Sequence, residues 1–209
     1  MKNFETEFKW DASAPYAFAR MLGAMRKVAD KQCVSAPDYL QIKDVYLDAP
    51  DGRLQKEKIA LRVRNTNGTF EITYKTRTEV LNGKAIRREE TLPLPNVKSL
   101  SGALHFLKEK KAWEGILLTD LLPLFSISNR RVVRLIKWQG SALELSFDTC
   151  VIRAAARQTK LKEIELELKR GPTEKLEEFA SQIMRLSGLP FSKKSKVKTA
   201  TALLNGGEK

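Results

Sequence analysis

The chain is poor in the residues on which several functional classes depend. Its 209 residues include two cysteines and one histidine. Cys33 and Cys150 lie far apart and match no metal-ligand spacing, so reduced packing thiols are expected rather than a zinc site or a disulfide framework. His105 falls in a helical stretch away from every motif described below, which argues against imidazole catalysis or ligation. No segment approaches the ~20 apolar residues needed to cross a bilayer. The opening MKNFETEFKW places acids where a secretory signal needs an apolar run, so a cytoplasmic, membrane-free protein is expected. Internal repeats, low-complexity stretches and linkers are also lacking. A single domain over 1–204, with a flexible tail at 205–209, is the economical organisation.

What the chain has in abundance is positive charge, with 38 Lys and Arg against 25 Asp and Glu and a net charge of +13. Such an excess favours anionic partners: polyphosphate, nucleotides, nucleic acid or an acidic membrane surface. General nucleic-acid binding calls for exposed aromatics interleaved with bases. No convincing set of that kind is present.

Hydrophobic periodicity predicts strands at Phe4–Trp10, Tyr39–Leu47, Ile59–Asn65, Phe70–Arg77, Ala85–Leu94, Phe125–Trp138, Ala142–Ile152 and Lys162–Lys169. Turn chemistry punctuates them at Asp48–Gly52, Asn67-Gly68, Asn82-Gly83 and Gln139-Gly140. Helical spacing predicts helices over Ala14–Ala29, Ser99–Trp113 and Pro172–Leu186. Shorter ones are expected near Leu117–Leu122 and Val197–Leu204. About eight strands with peripheral helices indicate an α+β fold whose sheet is a barrel or strongly curved.

The polar faces of these strands are unusual. Glu5 and Glu7 share a face with Lys9, opposite Phe4, Phe8 and Trp10. Arg62 and Arg64 oppose Leu61 and Val63, and Thr73 and Lys75 oppose Ile72 and Tyr74. Arg87 and Glu89 oppose Ile86 and Leu92. Glu144 and Asp148 oppose Leu143, Leu145 and Phe147, and Glu163, Glu165 and Glu167 oppose Ile164, Leu166 and Leu168. One such strand is explained by a solvated face, but a row of like charges repels itself. Six strands with such faces fit a single cavity, acidic on one wall and basic on the other. Carboxylates hold hard cations, and Arg and Lys hold phosphate oxygens. Both together are what metal-assisted phosphoryl chemistry requires.

Several segments, taken in order, resemble the CYTH family, the triphosphate tunnel metalloenzymes. Glu5-Thr6-Glu7-Phe8-Lys9 matches its E-x-E-x-K hallmark. Val45–Asp51, Ile59–Arg64, Ile72–Lys75, Arg87-Arg88-Glu89, Glu163–Leu168 and Lys194-Ser195-Lys196 resemble its later motifs. The likeness covers nearly the whole chain and is greatest to bacterial inorganic triphosphatases. It departs after Lys196, where Val197-Lys198 stands in place of a basic residue followed by Gly; Lys198 is a candidate substitute. Spacing from Pro123-Leu124-Phe125 favours Arg131 over Arg130 as the basic residue of its strand, and parity leaves the two open.

The resemblance implies an eight-stranded antiparallel barrel, the triphosphate tunnel, and a metal-dependent triphosphatase. Lys9, Arg62, Arg64, Lys75, Arg87, Arg131 and Lys196 would bind phosphate. Glu5, Glu7, Glu163 and Glu165 would hold one or two Mg²⁺ or Mn²⁺ ions, with Asp148 and Glu167 near that cluster. Glu5, Glu7, Lys9, Glu165 and Glu89 would carry catalysis, an acid of the late strand or Glu89 by orienting the attacking water. Inorganic triphosphate is the expected substrate. Organic triphosphates (thiamine triphosphate, a nucleoside triphosphate, ATP for cyclisation) and a non-catalytic polyphosphate-binding module are the alternatives.

Overall fold

The period-two segments become antiparallel strands in a computed structural model that describes residues 4–81 and 83–206. The chain runs β1 (Phe4–Asp11), α1 (Ala17–Val28), β2 (Asp38–Asp48), α2 (Arg53–Lys56), β3 (Ala60–Thr66), β4 (Thr69–Lys75), β5 (Glu79–Leu81) and β6 (Lys84–Leu94). It continues through α3 (Leu100–Lys110), β7 (Ala112–Trp113), β8 (Ile116–Leu117), β9 (Leu122–Trp138), β10 (Ser141–Ala154), β11 (Arg157–Arg170), α4 (Thr173–Ser187) and α5 (Lys196–Leu204). None of the described helices is long and apolar enough to cross a membrane.

The strands lie in the order β1-β11-β10-β9-β2-β3-β4-β6, and β1 pairs back onto β6 to close an eight-stranded antiparallel barrel. The closing register runs from Phe4 opposite Arg88 to Phe8 opposite Lys84. β5 continues the β4 edge of β6 past one extra residue, since Lys75 faces Glu89 and Glu79 faces Ile86. Two hairpins turn where the sequence signals them. Asn67 and Gly68 have φ of 51° and 94°, and Gln139 and Gly140 have 46° and 81°, the paired positive values of a type I′ turn. In the expected Asn82-Gly83 turn, Asn82 lies outside the described residues. So do residues 207–209 of the expected tail.

Alternation sends the apolar half of each strand outward, under the helices. Phe8, Trp10, Leu145, Phe147, Ile164 and Leu166 pack against Met21 and Met25 of α1 and Phe179 and Ile183 of α4. On the opposite side Leu61, Val63, Ile72 and Tyr74 pack beneath Ala103 and Leu107 of α3. Each fully buried large side chain in these layers stabilises the fold by roughly 2 kcal/mol. α4 ends as its sequence signals, with Gly188 at φ 62° donating its N–H to the Met184 carbonyl.

Two sequence expectations fail locally. The helix expected to reach Trp113 stops at Lys110, and the helix expected near 117–122 does not form. Glu114 and Gly115, at φ 50° and 82°, instead turn β7 back onto β8 in a short hairpin, a backbone no helix contains. The Asp48–Gly52 turn leads into α2, where Asp48 accepts N–H bonds from Leu54 and Gln55. The last of the peripheral helices, α5, closes one end of the barrel. Its Ala200 packs with Tyr46, Phe125, Ile127, Cys150 and Ile152, which lie on the inward faces of their strands. The barrel interior is therefore apolar where α5 caps it and charged beyond.

Candidate functional site

Strand parity and register decide which charges meet inside the barrel. Lys9 lies opposite Glu165, and Glu7 opposite Glu167, across β1 and β11. Glu5 lies opposite Arg87 on β6, Lys75 opposite Glu89, Asp148 opposite Glu163, and Arg131 opposite Asp148. Acids dominate β1, β10 and β11, bases dominate β3 and β9, and β4 offers Glu71 and Lys75 alike. Each wall also carries counter-charges that tie it to the other.

On the acidic side, Arg131 grips Asp148 through two bonds of 2.7 Å and also reaches Glu165 at 2.5 Å. This settles the parity question: Arg131 points inward, and Arg130 is exposed outside. Lys196 reaches Asp148 at 2.8 Å, Glu163 at 2.5 Å and Glu165 at 2.8 Å. Lys9 lies 2.5 Å from Glu165 and 3.2 Å from Glu7. The position of Lys196 follows from its local sequence. Ser195 caps α5 by accepting the Lys198 N–H at 3.1 Å, which makes Lys196 the first helical residue and aims it into the carboxylates. Lys198 itself is exposed and joins no part of this cluster.

On the basic side, Lys75 contacts Glu5 at 3.1 Å and pairs with Glu89. Arg87 pairs with Glu5 and reaches Glu7 at 3.2 Å, so it links the two halves of the tunnel. Asp44, which sequence reasoning missed, binds Arg64 at 2.7 and 2.8 Å and approaches Arg62 at 3.6 Å. Its signal was present: Asp44 lies two residues before Tyr46 and shares its parity. Glu167 stands apart, bonded to Lys169 at 3.0 Å with Glu144 nearby. His105 is exposed on α3.

The charges shift one another as their burial and partners require. Burial would raise Glu165, but Lys196, Lys9 and Arg131 overcome it and hold the carboxyl well below its usual range. Burial wins at Glu163, which is raised despite Lys196 and Lys9. Lys9 and Lys196 are raised against burial by the carboxylates around them. Burial, with Arg87 and Arg62 close by, lowers Lys75 to about 8 in spite of Glu5 and Glu89. Burial pushes Glu167 up to about 7 and the Cys150 thiol up to about 12.

Asp148, Glu163 and Glu165 each offer an oxygen within 4.8 Å of the others. Glu163 Oε1 is buried and, among the described residues, has no hydrogen-bond partner. A fully buried carboxylate with a spare oxygen and a raised proton affinity is short of positive charge. An all-oxygen donor set of this kind fits a hard divalent cation. Glu5 and Glu7 are engaged instead by Lys75, Lys9 and Arg87, and lie outside this trio.

Comparison with known proteins agrees with this geometry. The CYTH domain model matches residues 3–200. The chain is 32% identical over 159 residues, 76% of its length, to the inorganic triphosphatase of Haemophilus influenzae, and spans 45% of that relative. A solved protein of Pyrococcus horikoshii superposes with a TM-score of 0.62 at 17% identity, covering 95% of this chain and 99% of that one. A putative adenylyl cyclase from Hippeastrum, described as having a dominant triphosphatase activity, superposes at 0.61 with 16% identity over 98% and 97%. At these identities the structural matches speak for the fold alone.

Proposed function

Because the chain belongs to the CYTH family, we propose that its tunnel hydrolyses inorganic triphosphate to pyrophosphate and phosphate. The observation that carries this reading is the meeting of two sets of inward side chains: a row of bases and a buried carboxylate trio with a spare oxygen. A triphosphate offers the bases three linked anionic groups in place of their present carboxylate partners. Arg62, Arg64, Lys75, Arg87 and Arg131 would take its oxygens, and Lys9 and Lys196 would swing from the carboxylates onto phosphate.

Asp148, Glu163 and Glu165 would hold Mg²⁺ or Mn²⁺, with Glu5 and Glu7 joining once substrate draws off their bases. Bound there, the metal would neutralise phosphate charge and acidify a coordinated water. Glu89 or a carboxylate of β11 would orient the attacking water and take its proton, and attack on the terminal phosphorus would break the P–O–P bond and release pyrophosphate. The preference for an inorganic substrate has its own support. Among the described residues, the inward aromatics Tyr46 and Phe125 stack on each other with ring centroids 4.6 Å apart, in the apolar layer under α5. Both rings are buried, at 7% and 6% exposure.

Phosphate release from tripolyphosphate, ATP and thiamine triphosphate with Mg²⁺, Mn²⁺ or EDTA tests the proposal. Tripolyphosphate should be cleaved fastest and EDTA should abolish cleavage. Absence of hydrolysis with either metal, while tripolyphosphate still raises the melting temperature, would reduce the tunnel to a binding module.

A further inference from the structure

The tunnel's bases are matched by its own carboxylates, so it cannot be the source of the chain's net charge of +13. The excess lies outside, and part of it is organised. A groove of about 710 Å³ is lined by residues of β2, β3, β9, β10 and β11, including Lys43, Arg130, Lys160 and Lys162. These four are exposed, and among the described residues no Asp or Glu lines the groove. Among the described residues, none of the four makes a salt bridge.

The groove follows from the pattern along β10. Its outward residues Leu143, Leu145 and Phe147 lie beneath α1 and α4, but the next two, Thr149 and Val151, are only half-buried and open onto the groove. Register then spreads the cations across the sheet. Lys162, Thr149, Arg130 and Gln41 form one cross-strand row; Lys160, Val151, Ser128, Lys43 and Asn65 form the next. From β11 to β2 is three strand spacings, about 14 Å. The cations therefore follow a track across the strands, with neutral hydrogen-bonding groups between them.

We propose that this groove binds inorganic polyphosphate, holding a long chain on the outer wall of the barrel whatever the tunnel hydrolyses. A run of cations with no anion among them is complementary to a polyanion and repels nothing on it. Among the described residues, no aromatic side chain lines the groove. Single-stranded nucleic acid draws much of its affinity from bases stacked on aromatic rings. An inorganic chain, which is anionic throughout and has no base to stack, needs only the charges and hydroxyl or amide donors found here.

The test measures binding of long-chain polyphosphate to the intact protein in EDTA, with excess tripolyphosphate to fill the tunnel. Two variants are compared with the parent: Lys43→Glu, Arg130→Glu, Lys160→Glu together, and the same positions changed to Gln. Lys162 is left in place because its ammonium lies 6.0 Å from the Phe18 ring. The reversal should raise Kd for the long chain at least about tenfold, and the Gln set should lower the slope of log Kd against log salt by about two. In both variants tripolyphosphate hydrolysis should stay within about twofold of the parent, since none of these side chains enters the tunnel. A long-chain Kd unchanged in both variants overturns the proposal. So does single-stranded RNA of equal charge that binds the groove as tightly as polyphosphate. The binding measurement needs no turnover, so it stands even if the tunnel proves inactive.

Discussion

Asp44 holds the basic side of the tunnel together, and replacing it with Asn isolates that role. Burial alone would raise its carboxyl, but Arg62 and Arg64 outweigh it and bring the value from 3.8 to about 2. A difference of nearly two units between folded and unfolded chains corresponds to roughly 2 kcal/mol of stability at neutral pH. The substitution also leaves Arg62, which is 7% exposed, without its nearest counter-charge. Breaking a buried pair from one side costs about 3–5 kcal/mol. The expected loss is therefore about 2–5 kcal/mol, or a fall in Tm of about 5–15 °C for a chain of this size.

Two further readouts separate this account from a general packing defect. Because the folded value is depressed, the stabilisation is complete above the unfolded value of 3.8 and is lost as pH falls through about 2. The gap between parent and Asp44→Asn, measured by denaturant unfolding, should therefore narrow from pH 5 toward pH 2. In the variant, Arg64 loses its carboxylate partner and Arg62 keeps only the longer contact to Glu89, at 3.9 Å, until an anion arrives. Tripolyphosphate, added without metal, should then raise the variant's Tm by more than the parent's. Each tenfold gain in affinity adds about 1.4 kcal/mol. A variant that melts within about 1 °C of the parent, or gains no more from tripolyphosphate, would refute the reasoning.

Other perturbations bear on other parts of the molecule. Glu165→Gln should cut tripolyphosphate hydrolysis by about 100-fold or more, while metal-free binding of tripolyphosphate holds or tightens; parallel turnover and calorimetry check both. Lys75, lowered to about 8, should lose its charge as pH rises through that value, so kcat/KM should fall on the alkaline side. Lys75→Arg should remove that limb of the pH profile. Gly171→Ala should destabilise the fold by about 1–3 kcal/mol in denaturant unfolding. The residue has φ of 112°, and an added Cβ would sit 2.9 Å from the Ser141 Cα.

The barrel was legible because its strands alternate strictly. A one-residue error of register would have placed Glu163, Glu165 and Glu167 under α4, where Ile164 and Leu166 now pack. The failures came where alternation gives no instruction. Residues 112–117 contain apolar side chains that suit a helix as well as a hairpin, and the left-handed backbone of Glu114 and Gly115 decides between them. β5 has three exposed residues and no buried face, so nothing in its pattern sets it apart from a loop. The end of the barrel that α5 closes was not legible either, because the helix's own sequence is only weakly amphipathic. Its partners Tyr46, Phe125, Ile127, Cys150 and Ile152 lie on the inner faces of β2, β9 and β10.

Within the site, parity named the side chains that face inward but not their partners. Arg131 against Arg130 is the clearest case. The preceding spacing favours one, but the two-bond grip on Asp148 depends on β9 and β10 meeting in a register that neither strand encodes alone. Lys196 is the converse. Its motif marks it as a phosphate ligand, yet its ammonium sits among Asp148, Glu163 and Glu165, where positive charge is most needed. The same carboxylates cannot hold both this ammonium and a divalent cation without strong repulsion at such distances. Metal and substrate should therefore enter as a linked pair, with the ammonium passing from carboxylate to phosphate as the cation takes its place. Tripolyphosphate should then tighten metal binding and metal should tighten tripolyphosphate binding by the same factor, a reciprocity that binding equilibria require.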